Sequence, residues 1–153
     1  MTKLSTQTLE ILKNFASINS NLIVKSGEAL STISEAKNIM ASAEITELFE
    51  TTFGIYDLNE FISMFSLMSD PDLDFTADSV VFKSGRTKAS YRFADQSILT
   101  TPKSKITMPS ADVIVNIDSD LLGQIRKAAG VLGHTIVSIG GEAGVITLSV
   151  VDP

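Results

Sequence analysis

Two cations hold one place in two look-alike stretches of this chain. Lys13 lies eight residues after Ser5, Arg126 lies eight residues after Asp118, and Lys127 follows directly. On an exposed helix face such a cation attracts phosphate without reading sequence. Spacing alone leaves two readings open: ordinary surface lysines that keep the protein soluble, or one shared phosphate-facing surface if the stretches form a curved array. The other candidate chemistry is thin. His134 is the single histidine and the chain has no cysteine. A metal centre needs more ligands than that, so His134 reads as a surface or edge histidine. Asp70, Asp72, Asp74 and Asp78 lack the glycine and closing glutamate of a helix-flanked calcium loop and read as a solvated turn. Gly140-Gly141 suits a hairpin better than a phosphate cradle, and no Walker-type lysine loop occurs. Nothing resembles a nucleophile with its base. The residues point to no enzyme, no cofactor and no metal.

The elements that must position these cations repeat. The clearest copy is Tyr56-Asp57-Leu58-Asn59-Glu60-Phe61, which reads as a short strand turning into a helix. Asp57 has N-cap chemistry, Glu60 stands at capping-box spacing, and Tyr56 and Phe61 stand at hydrophobic-staple spacing. Ser5 and Asp118 open two further copies. From the three caps, offset four gives Leu9, Phe61 and Leu122, and offset seven gives Leu12, Met64 and Ile125. Offset ten gives Phe15, Leu67 and Ala128, and offset eleven gives Ala16, Met68 and Ala129. That is one apolar stripe at helical spacing. Offset eighteen gives Ile23, Phe75 and Ile136, each in a strand-like run. The pattern predicts a helix-plus-hairpin unit used three times. Phe65 holds offset eight in the middle copy, which therefore offers no base there.

In chain order, residues 5–18 are expected as a helix burying Thr8, Ile11, Leu12, Phe15 and Ile18. A hairpin follows over 21–34 around Ser26-Gly27, where glycine supplies the turn's positive φ. Strand character over 36–55 puts Glu44, Glu47 and Glu50 in solvent. After the central helix, Ser69-Asp70-Pro71-Asp72 stops and turns the chain. Strands are expected over 73–76, 79–84 and 87–93, then a linker or crossover over 94–108. A strand over 111–117, a helix over 119–131 and a hairpin over 134–151, looped at Gly140–Gly144, complete the reading. Two units pack as one α+β domain, helices on one face of antiparallel sheet. The third is left odd, to be completed by more of a longer protein or by another chain.

Composition sets the bounds. Hydrophobic residues make up 44% of 153, which suits one good core or two small ones. No apolar run approaches the roughly 20 residues that span a bilayer, and no signal-peptide pattern opens the chain. A net charge of −6 argues against a simple nucleic-acid coat. The charge is uneven, however. Residues 28–80 carry eleven acids against Lys37, whereas residues 81–108 carry six bases against Asp95. An acidic molecule with a basic surface stays open.

One resemblance joins these features. Leu12-Lys13-Asn14-Phe15-Ala16-Ser17-Ile18-Asn19-Ser20, Val24-Lys25-Ser26-Gly27 and Ile55-Tyr56-Asp57-Leu58-Asn59 resemble the sliding-clamp family (DNA polymerase processivity factors) of T-even-type bacteriophages. The likeness continues more weakly through Met108-Pro109 and the third helix to about residue 151. It implies a DNA-clamp fold of repeated helix-plus-hairpin units, with residues 1–108 as a first domain and 109–153 as the front half of a second. It implies a non-enzymatic homo-oligomeric ring, three subunits in the family, that encircles double-stranded DNA without reading sequence. The replicative polymerase and a clamp loader are the implied partners, and the cytoplasm of an infected bacterial host the implied place. Carried over by position, Lys13 and Arg126 match lumen-side bases, and Lys127, Lys3 and Lys25 are further DNA-binding candidates. A family subunit has four units and this chain shows three, so the part completing the second domain, one subunit contact and the partner-peptide pocket is expected to lie beyond it. The competing reading is a small-molecule-binding α+β domain with a pocket lined by Phe61, Phe65 and Met68.

Overall fold

A computed structural model describes residues 2–102, 110–111, 114–142 and 144–152. The chain divides into two compact units, Met1–Lys105 and Ile106–Pro153. The first unit runs α1 (Thr6–Ala16), β1 (Leu22–Val24), β2 (Gly27–Ile33), β3 (Met40–Phe49), β4 (Phe53–Ile55), α2 (Leu58–Ser66), β5 (Asp72–Phe75), β6 (Ser79–Ser84) and β7 (Thr87–Arg92), then a 3-10 turn at Gln96–Ile98. The second runs α3 (Ser119–Leu132), β8 (Ile136–Glu142) and β9 (Val145–Val151). The fold is α+β with antiparallel sheet throughout the described residues.

All three helix starts expected from the repeat are present. Ser5 accepts from the Thr8 N–H, Asp57 from the Glu60 N–H and Asp118 from the Leu121 N–H. Each satisfies one of the donors that a helix N-terminus leaves free. Ile23, Phe75 and Ile136, at one offset from those caps, all lie in strands.

The core of the first unit gathers Leu12 and Phe15 from α1, Leu58 and Phe61 from α2, and Leu22, Leu30, Phe49, Ile55, Leu73, Val80 and Phe82 from the strands. The two helices lie side by side, and α1 also packs on β3. Burying one such Leu or Phe contributes about 1.5–3 kcal/mol, so the shared core locks α1 against rotation about its own axis.

Several expectations need correction. The hairpin over 21–34 does not form: β1 pairs with β4, Ile23 opposite Gly54, while β2 pairs with β3. All three residues of β1 and of β4 are buried. Mutual burial of those two short runs decides the pairing, and Ser26-Gly27 only redirects the chain. Gly27 does take a positive φ of 123°, but at the start of β2. Glu47 does not face solvent. It is 8% exposed, on the inward parity of β3 with Ile45 and Phe49. Its neighbours Glu44 and Glu50 are exposed as expected.

The staple at the second cap is absent, because Tyr56 is 64% exposed while Phe61 is buried. The Asp57 N–H meets the Tyr91 hydroxyl instead of the Glu60 carboxylate that a capping box would supply. Leu67 and Leu122 leave the stripe for solvent. In α2 the helix ends at Ser66 with Leu67 as its C-cap, so that position no longer continues the inner face. In α3 the half-buried row is Leu121, Ile125, Ala128 and Ala129, set one residue back from the expected start.

The expected linker over 94–108 is in part packed on the first unit. The Ala94 N–H donates to the Gly54 carbonyl, Leu99 is buried, and the Thr100 N–H donates to Asn21 Oδ1. Residues 103–109 lie outside the described residues. Of the strand expected over 111–117, residues 111 and 114–117 belong to no strand, and 112–113 lie outside the described residues. Gly140, Gly141 and Glu142 extend β8 rather than forming a loop. The reversal falls at Gly144, whose φ is 83°; Ala143 lies outside the described residues.

Candidate nucleic-acid interface

The first cation sits on a helix anchored from beneath. Leu12 and Phe15 bury the inner face of α1, leaving Gln7, Glu10, Lys13 and Asn14 exposed. The N-terminus of α1 is pinned by Glu47, which accepts from the Ser5 N–H and, at 2.6 Å, from the Thr8 hydroxyl. Lys13 lies in the last turn, where the helix dipole favours a cation. Its Nζ is 2.7 Å from Glu10 Oε1, with both side chains more than half exposed. Lys13 is therefore an accessible base already holding a carboxylate.

Lys3 is placed by the pairing of Thr2 with Leu73 in both directions, at 3.0 and 2.8 Å. Its ammonium is bound to Asp70, and that hydrogen bond raises the lysine pKa. Lys25 is exposed between β1 and β2, beside a Ser26 N–H that donates to Thr52 Oγ1 at 3.1 Å. Among the described residues no carboxylate pairs with it.

The middle helix, α2, carries no base. Phe65 sits half-buried with its ring 5.7 Å from Phe61 and 5.0 Å from Phe82, each edge to face. The offset that carries a cation in α1 and α3 here fills the core. The outer face of α2 presents Asn59, Glu60, Ser63 and Ser66. These contacts also count against the small-molecule reading, because Phe61, Phe65 and Met68 pack against core side chains. Cavities of about 440 and 310 Å³ lie elsewhere, and none of the three residues lines them.

In the second unit Arg126 and Lys127 are exposed in the middle of α3, which rests on β8 and β9. Among the described residues neither meets a carboxylate. His134 follows the Gly133 C-cap; it is half-buried, with Nδ1 enclosed and unpaired among the described residues.

The sequence reading assigned no role to the basic hairpin of β6 and β7, though the charge balance of residues 81–108 was its signal. Lys83 stands directly opposite Lys88 across the ladder. The aspartates expected as a solvated turn supply counter-charges. Asp72 and Asp74 lie in β5, Asp74 Oδ2 is 2.5 Å from Lys83 Nζ, and Asp78 is 3.8 Å from Arg92. The Lys83 ammonium lowers the Asp74 pKa.

Comparison with known proteins shows the family of the chain. The family model described as DNA polymerase processivity factor matches residues 3–108. The sliding clamp of Vibrio phage KVP40 is 33% identical over 98% of this chain and 71% of its own length. This chain belongs to the DNA polymerase processivity factor family. Two further members, the sliding clamps of Escherichia phage RB69 and Enterobacteria phage T4, are 32% and 30% identical over 96% of this chain. The chain spans 65% of the length of each of those two. Within this processivity factor the cations Lys3, Lys13 and Lys25 fall inside the matched segment, and Arg126 and Lys127 outside it. Among the described residues no helix is long and apolar enough to cross a membrane.

Proposed function

We propose that the chain works as a phage sliding clamp: a non-enzymatic processivity factor that holds duplex DNA and keeps the replicative polymerase on it. Residues 1–108 form one clamp domain and 109–153 part of a second, a division in keeping with the family match and the two compact units. Lys13, Arg126 and Lys127 face the phosphates, with Lys3 and Lys25 contributing, and no base edge is read. The assembly is a homo-oligomer, closed around DNA by a clamp loader in the cytoplasm of an infected host. The observation that carries this is the placement of the cations. Lys13 and Arg126 share one offset from their N-caps on α1 and α3, and both are exposed. Such contacts are screened within about 10 Å at 0.1 M salt, so enclosure supplies residence while the contacts stay weak enough to slide.

The test is Lys13→Glu with Arg126→Glu in primer extension on a primed circular template with polymerase and loader. Shorter products with an unchanged far-ultraviolet spectrum are expected. Product lengths equal to those of the unsubstituted protein overturn the proposal.

A further inference from the structure

We propose that Glu10 competes with DNA phosphate for Lys13 and so sets how strongly α1 grips the duplex. The inference rests on the sliding-clamp reading above. Glu10 and Lys13 stand one turn apart on the exposed face of α1, 2.7 Å from carboxylate to ammonium. With the Lys13 side chain 55% exposed and the Glu10 side chain 63%, the pair is open to solvent and to an approaching polyanion. An exposed pair of this kind is held only weakly. That is strong enough to occupy the ammonium and weak enough to be exchanged.

The contrast with α3 isolates the effect. Arg126 holds the same offset, but the residues three and four positions away are Gly123, Leu122, Ala129 and Gly130. For Lys127 they are Gln124, Gly123, Gly130 and Val131. No carboxylate lies within helical reach of either. The two equivalent positions therefore differ in kind. On α3 a phosphate adds a partner to a cation that meets no carboxylate among the described residues. On α1 a phosphate must replace the Glu10 carboxylate, and the pair's net charge of zero gives no pull at longer range. An oxygen anion is exchanged for an oxygen anion, so the net gain is small and the contact is easily released. Lys3, bound to Asp70, is restrained in the same way.

The experiment is fluorescence anisotropy of a short labelled linear duplex across a salt titration, with Glu10→Gln, Lys13→Gln and the double variant. Glutamine keeps the helix propensity of glutamate, and far-ultraviolet spectra check the fold. Glu10→Gln is expected to bind about two- to five-fold tighter, with a salt slope steeper by up to about 0.9 for each lysine released to DNA. Lys13→Gln is expected to bind more weakly, and the double variant to match Lys13→Gln. If Lys13→Gln weakens binding while Glu10→Gln leaves it unchanged, the competition is overturned and the DNA face stands. If Glu10→Gln strengthens binding equally without Lys13, simple loss of negative charge is the cause and the competition is again overturned. If Lys13→Gln changes nothing in either background, the DNA reading of α1 fails, and this inference with it.

Discussion

Thr8 donates its hydroxyl proton to the Glu47 carboxylate across 2.6 Å, inside the first unit. The same carboxylate accepts from the Ser5 N–H, so one β3 side chain holds the first turn of the helix that presents Lys13. Burial pushes the Glu47 pKa up, but the Ser5 and Thr8 hydrogen bonds outweigh it, and the net position is below the usual carboxylate value.

The sign of the pH dependence follows. A depressed folded-state pKa stabilises the fold above the unfolded value and loses that contribution as pH falls through the folded one. Asp74 and Asp95 shift in the same direction. Stability is therefore expected to fall in acid, starting near the ordinary carboxylate value of 4.5. Glu47→Gln should cost about 1–3 kcal/mol at pH 7 and flatten the acid limb. Urea melts across that range measure both, and an unchanged acid limb in the variant would refute the assignment.

Tyr91 ties the last strand of the first unit to the start of α2. Its hydroxyl accepts from the Asp57 N–H at 3.2 Å and donates to the Asp57 carbonyl at 3.3 Å. Tyr91→Phe removes both hydrogen bonds at once and leaves the Asp57 N–H without that acceptor. A loss of about 1–2 kcal/mol is expected, with faster exchange of the α2 N-terminal amides. Equal protection of those amides in the two proteins would contradict the tie.

Gly54 has no room for a side chain. A methyl there would lie 2.6 Å from Leu99 Cδ1 and 2.7 Å from the Ala94 carbonyl oxygen. Leu99 can turn away, but the backbone of Ala94 is held beside Gly54 by its own N–H, which donates to the Gly54 carbonyl at 2.9 Å. Gly54→Ala should cost about 1–3 kcal/mol and loosen residues 94–99. A melting midpoint within error of the parent would show that the segment adapts.

The second unit leaves apolar surface uncovered. Val131 is 86% exposed and Val145 66%, with Leu122, Val137 and Ile139 also open. The β8–β9 ribbon carries a single charged residue, Glu142, and edges without charge or proline invite pairing. Concentration-dependent association is expected in light scattering, reduced by Val137→Lys with Ile139→Lys. A strictly monomeric particle at high concentration would count against it.

Much of the element order was legible because helix starts and strand parity are local. Ser5, Asp57 and Asp118 each cap within three residues, and β6 and β7 alternate inward and outward as half-buried strands do. The position of Lys13 on the exposed side of α1 followed from the apolar stripe opposite it. Partner choice was not legible, since it compares distant alternatives. β1 lies beside a good turn and still pairs with β4, because two fully buried runs gain more together than a nearby half-exposed strand offers.

The chain by itself determined where the helices begin, which of their faces is apolar, and that a cation stands at one offset in two of them. Those properties depend on residues within a turn or two of each other. Only the tertiary structure decided that Glu47 turns inward to hold α1, that Tyr91 reaches Asp57, and that the Phe65 ring packs against Phe61 and Phe82. A carboxylate on a strand or a hydroxyl on an aromatic ring has no preferred side until a second element supplies its hydrogen bonds, and that element is tens of residues away.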